Sequence, residues 1–159
     1  MEKNWLLDAS YKALSVMLVA LALSSCAFPR IAVLHDPLTP EEHINLGVSY
    51  EKKGELDAAL EQYEAASKKL SVAYLYIGNV YFQKNDAKHA EKAYKKAIER
   101  ANDAQAYNNL AWLYYTHDQH LEEAEKLARK AVELRPEADD FRDTLEKIIE
   151  KRSSVSERR

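Results

Sequence analysis

The sequence predicts an all-α protein made of repeated helical hairpins, and three observations carry that prediction. Glycine occurs three times and proline four times in 159 residues, too little turn chemistry for a sheet protein with many tight connections. Between Pro40 and Pro136 a pattern of small and aromatic residues returns three times, with equivalent alanines 31 and 34 residues apart. After Pro136, apolar residues at Phe141, Leu145, Ile148 and Ile149 keep helical spacing. A make-up of 47% hydrophobic and 31% charged residues suits a folded domain rather than a disordered chain. The formal charge of -3 directs the chain neither to nucleic acid nor to a strongly anionic surface.

Residues 1–25 have the features of an address. A polar start carrying Lys3 and Lys12 leads into the weakly polar to apolar run Ala13–Leu23. That run is too short to cross a bilayer as a helix and has the length of a signal-peptide core. Leu23-Ser24-Ser25-Cys26 follows. An aliphatic residue, two small residues and a cysteine resemble the lipobox of bacterial lipoproteins, in which the chain is cut before the cysteine and that residue is acylated. The resemblance implies a lipid anchor on Cys26, because several acyl chains on one residue hold firmly where a single chain holds marginally. Ala27 after the cysteine, where an aspartate commonly signals inner-membrane retention in enteric bacteria, leans toward the outer membrane. A secretory signal with a chance cysteine, or an uncut hydrophobic anchor, are the competing readings. As the only cysteine, Cys26 has no partner for an internal disulfide.

Residues 26–39 comprise the lipidated cysteine and a linker. Two prolines interrupt Ala27–Leu38, which has no helical period; extended, it would reach on the order of 40 Å. Its apolar run Ile31–Leu34 suits packing on the first repeat or proximity to lipid. Thr39-Pro40-Glu41-Glu42 then opens the folded part. Thr39 is placed to cap, Pro40 to occupy the first helical position and Glu42 to return the capping-box bond.

In the first half of each unit Leu46-Gly47, Ile77-Gly78 and Leu110-Ala111 correspond, followed three residues later by Tyr50, Tyr81 and Tyr114. In the second half Ala59, Ala90 and Ala124 correspond, followed by Tyr63, Tyr94 and Ala128, then Ala66, Ala97 and Ala131. Over residues 40–136 this pattern resembles the tetratricopeptide repeat, a helix-turn-helix unit of about 34 residues. The resemblance implies three repeats stacked into a right-handed α-solenoid. The small residues let the helices of each hairpin approach closely, and Gly54, Asn85 and Asp118 fall in the hairpin turns, where a left-handed backbone is often needed. The first junction, near Lys69–Ser71, is about three residues short, and the third turn carries one extra residue within His117–His120. Residues 137–152 are expected to form a capping helix, and 153–159 a polar, frayed tail.

No catalytic pattern emerges, and no enzyme activity, metal or cofactor is expected. The glycines do not make a phosphate loop, no serine lies in a nucleophile elbow, and His117 and His120 are turn residues. The resemblance instead implies a concave face lined by the first helix of each repeat. Helical geometry directs Ile44, Asn45, Val48 and Lys52 there from the first repeat, and Leu75, Tyr76, Asn79 and Phe82 from the second. Asn108, Asn109, Trp112 and Tyr115 come from the third, with Asp143, Thr144 and Lys147 from the capping helix. Some chaperone-adaptor members of the family grip a C-terminal carboxylate with basic residues and two asparagines. Asn79 and Asn109 match the asparagines, while Leu75, Asp140 and Thr144 stand in the basic places. The expected function is a membrane-anchored protein-interaction scaffold in cell-envelope assembly, its groove taking a neutral or apolar segment of a protein partner. Homo-oligomerisation through the same apolar strip is the alternative.

Overall fold

The computed structural model describes residues 36–157; the expected leader, Cys26 and the expected linker as far as His35 lie outside them. Among the described residues there are seven helices and no strand: α1 (Pro40–Lys52), α2 (Leu56–Ser67), α3 (Ala73–Gln83), α4 (Ala87–Ala101), α5 (Ala104–Thr116), α6 (Leu121–Leu134) and α7 (Asp139–Glu157). The pairs α1–α2, α3–α4 and α5–α6 pack as hairpins, each hairpin meets the next, and α7 closes the array against α6 and α5. No described helix is long and apolar enough to cross a membrane.

Local chemistry sets the helix starts and the turns. Thr39 Oγ1 accepts from Glu42 N at 3.2 Å, and Glu42 Oε2 accepts from Thr39 N at 2.7 Å, so two otherwise unpaired donors are satisfied reciprocally. Asp86 and Asp103 cap α4 and α5 through the amides of His89 (3.2 Å) and Ala106 (2.8 Å). Gly54, Asn85 and Asp118 all have positive φ, as their turn positions led one to expect. The enlarged third turn adds His120, also left-handed at φ 48°. Its extra residue is thus absorbed by a second left-handed step, and α6 keeps its register. The short first junction is crossed by consecutive i to i+3 bonds, Ala73 N to Leu70 O, Tyr74 N to Ser71 O and Leu75 N to Val72 O, which is the tightest way to turn a helical chain.

Packing within a hairpin rests on a size trade. Tyr63 and Tyr94 are fully buried and lie across Gly47 and Gly78. A methyl on Gly47 would fall 2.7 Å from Cδ1 of Tyr63, and one on Gly78 would fall 3.0 Å from Cζ of Tyr94, with other ring carbons closer still. In the third hairpin the equivalent residues are Ala111 and Ala128, both buried: where the large ring is absent, the glycine is too. Tyr114 is buried, whereas its equivalents Tyr50 and Tyr81 are only half-buried.

The capping helix departs from its predicted ends. It continues to Glu157, so residues 153–157, expected to be a frayed tail, extend it. Phe141 and Ile148 are completely buried. Glu125 on α6 is 7% exposed and lies between Arg129 (2.7 and 2.9 Å) and Arg152 of α7 (3.0 Å), so the cap is held by charge beyond its apolar face.

Candidate functional site

The first helices of the three hairpins supply one cavity of about 300 Å³, lined by Glu51 of α1, Asn79, Phe82 and Gln83 of α3, Tyr94 of α4, and Asn109 and Trp112 of α5. A hydrogen-bonded chain of amides forms its floor. Asn79 Oδ1 accepts from the Tyr94 hydroxyl at 3.0 Å and from Asn109 Nδ2 at 2.8 Å, and Asn109 Oδ1 accepts from Gln105 at 2.9 Å. These bonds fix both carboxamides before any ligand arrives, which lowers the ordering cost of binding.

At one end Glu51 Oε2 accepts from the Tyr63 hydroxyl at 2.8 Å, and its Oε1 accepts from the Gln83 amide. Burial, then the Glu51 hydrogen bond and its charge, push the Tyr63 hydroxyl pKa well up. Burial also raises that of Tyr94, opposed by Asn109 and reinforced by the Glu51 charge. Both phenols therefore stay protonated as donors. At the other end Trp112 stacks on Tyr115 with ring centroids 5.0 Å apart. Lys147 of α7 lies 5.5 Å over Trp112, and Lys151 lies 4.5 Å over Tyr115 and donates to its carbonyl at 2.9 Å.

Of the residues directed to the groove by sequence, Asn79, Phe82, Asn109 and Trp112 meet in this cavity. Asn45 is exposed on α1 outside it. Val48 and Tyr76 pack against the core of the first two hairpins, Tyr76 stacking on Tyr63 at 5.0 Å. Tyr115 stacks on Trp112 and packs against the core that includes Leu110, Tyr114 and Ile148. Asn108 is corrected: it is 7% exposed, on the same stripe as buried Ala104 and Ala111, so it belongs to the interior. Thr144 is buried likewise and bonds to the Asp140 carbonyl. Glu51, Gln83 and Tyr94 were missed, although Glu51 follows Gly47 by four residues and Gln83 follows Asn79 by four, the spacing that shares a helix face.

The histidines of the third turn are each engaged locally. His117 Nδ1 meets the Leu113 carbonyl at 3.0 Å, His120 sits edge-on to Tyr114, and among the described residues no three metal-ligating side chains converge.

A family model described as tetratricopeptide repeat matches residues 44–104 and 75–139. No curated protein matches the chain. Among solved structures, the first TPR of Spaghetti (RPAP3) bound to the HSP90 peptide SRMEEVD is 22% identical, with TM-score 0.67, covering 76% of this chain and 98% of that one. The Sgt2 TPR domain from Aspergillus fumigatus is 14% identical with TM-score 0.69, covering 74% and 82%. The C-terminal TPR-containing domain of a Plasmodium falciparum putative FK506-binding protein is 20% identical with TM-score 0.60, covering 76% and 97%. The matched repeats span most of the folded array, and this chain belongs to the tetratricopeptide repeat family.

Proposed function

We propose that the protein is a lipid-anchored adaptor of the bacterial cell envelope that binds a segment of a partner protein in its concave groove and catalyses no reaction. The observation that carries the groove is the cavity between Phe82 and Trp112, floored by the fixed amides of Asn79 and Asn109. Aromatic walls with a polar floor suit an extended peptide, the walls taking a side chain and the amides its backbone. A similar fold in RPAP3 holds an HSP90 peptide, which supports a peptide ligand here. The anchor rests on Leu23-Ser24-Ser25-Cys26, and the linker sets the reach of the array from the lipid surface.

Two experiments test this. Metabolic labelling with an alkynyl fatty acid should mark the wild type and leave Cys26→Ser unmarked; equal labelling would sink the anchor. Crosslinking in native membranes, followed by capture, should recover specific envelope proteins with the wild type and lose them with a Phe82→Ala/Trp112→Ala double variant. Equal recovery from both would move the binding surface off the groove. Recovery of the protein alone would favour self-association.

A further inference from the structure

The Glu51 end of the groove points to a specific ligand chemistry. We infer that it is a subsite for a lysine or arginine side chain of an internal partner segment, an inference that rests on the groove being the binding surface.

Glu51 lines the same cavity as Phe82 and Trp112, with the buried Tyr94 behind them. Its oxygens are oriented by two neutral donors, the Tyr63 hydroxyl and the Gln83 amide, so its charge is placed but not cancelled. Among the described residues it has no ion-pair partner, and no lysine, arginine or histidine lines the cavity. Lys52, its neighbour on α1, is exposed to solvent and does not line the cavity; Lys84 is paired with Asp57, and at the other end Lys151 pairs with Asp118 at 2.5 Å while Lys147 lies 5.5 Å from the Trp112 ring centroid.

A fixed carboxylate beside aromatic faces is what a cationic side chain needs. The ammonium or guanidinium gains a charge-assisted hydrogen bond from Glu51 and an electrostatic attraction to the rings, while its methylene stem covers apolar surface. The same charge repels a chain-terminal carboxylate, so the subsite also selects against one kind of ligand. A cavity of about 300 Å³ is at the small end of ligand sites and suits one long side chain with a short stretch of backbone. Asn79 and Asn109 then lie where that backbone would pass.

The test uses residues 37–159, a compact unit with its own buried core and a cap at each end. A library of octapeptides, acetylated and amidated so that no terminal charge remains, is selected on immobilised wild type, on Glu51→Gln and on the Phe82→Ala/Trp112→Ala variant. Glutamine keeps an acceptor for Tyr63 and turns the second oxygen into an amide donor, which Gln83 can meet by turning over its own carboxamide; Glu51→Gln thus removes the charge while leaving both contacts available. Wild-type binders should be enriched in lysine or arginine next to an apolar residue, and should lose about tenfold to a hundredfold in affinity on Glu51→Gln. In the best binder, replacing arginine by citrulline should weaken binding to the wild type similarly, a measurement that does not depend on any protein variant folding. Binders without basic enrichment, kept equally by wild type and Glu51→Gln but lost on the double variant, would overturn the subsite and leave the groove standing. Enrichment that the double variant retains would overturn both.

Discussion

Gly78→Ala measures how closely α3 and α4 approach. In an ordinary helix interior the change would stabilise by about 1 kcal/mol through backbone propensity. Here the new methyl would fall 3.0 Å from Cζ of Tyr94, with two other ring carbons nearer. The ring has little room to yield: it is 2% exposed, and its hydroxyl is tied to Asn79 at 3.0 Å. Overpacking of this kind costs about 1–3 kcal/mol, and displacing the ring would also break a hydrogen bond worth about 1 kcal/mol. The propensity gain cancels roughly the last item, which leaves a net loss of about 1–3 kcal/mol. Urea unfolding of residues 37–159, followed by circular dichroism at 222 nm, reads this as a lower midpoint at unchanged slope. In a Tyr94→Leu background the same methyl should become neutral or stabilising, giving a coupling of at least about 1 kcal/mol. Gly78→Ala that stabilises the wild type, or costs equal in both backgrounds, would refute the size trade between positions 78 and 94.

Thr39→Ala removes the acceptor side of the first capping box and should cost about 1 kcal/mol in the same assay, with faster amide exchange at the start of α1. Phe141→Ala empties a completely buried position in the cap and should cost about 3–5 kcal/mol; a smaller loss would show that the array does not depend on α7. Trp112→Ala should cost only about 1 kcal/mol, the worth of its contact with Tyr115, while abolishing groove binding measured by fluorescence anisotropy of a labelled peptide. Hydrogen bonding to Lys95, aided by Tyr114, holds the Glu91 carboxyl below its usual range against the cost of burial. A depressed folded pKa contributes stability that is complete above the unfolded value of about 4.3 and is lost as pH falls through the folded one. Glu91→Gln should therefore flatten the fall of the urea midpoint as pH drops below about 4.3; an unchanged acid limb would count against the interaction.

The sequence makes the hairpins legible because the small residues recur at a fixed interval, and the left-handed turn positions at Gly54, Asn85 and Asp118 follow from their residue types. The groove was only partly legible. Asn108 and Asn109 look alike in sequence, yet a step of one residue turns a helix by about 100°, which places Asn108 on the Ala104–Ala111 stripe and Asn109 in the cavity. Phe141, Thr144 and Ile148 make a similar buried stripe on α7, so Thr144 had no route to the surface. Glu51 was hidden because a charged residue near a helix end ordinarily implies solvent; only the meeting of α1 with Tyr63 and Gln83 gives it a defined place. The capping helix outran its predicted end at 152: the hydroxyls of Ser153 and Ser154 bond back to the carbonyls of Ile149 and Lys151, local bonds that a reading of 153–159 as a polar tail passes over.

Tyr94 stands at two addresses. Its ring closes the α3–α4 hairpin against Gly78, while its hydroxyl helps to hold Asn79 in the groove. A partner that gripped Asn79 would therefore press, through one phenol, on the joint that keeps the middle repeat together. If the proposed groove is the binding surface, its occupancy and the rigidity of that repeat are linked: binding should slow exchange at amides buried behind Tyr94, and loosening of the hairpin should weaken the grip.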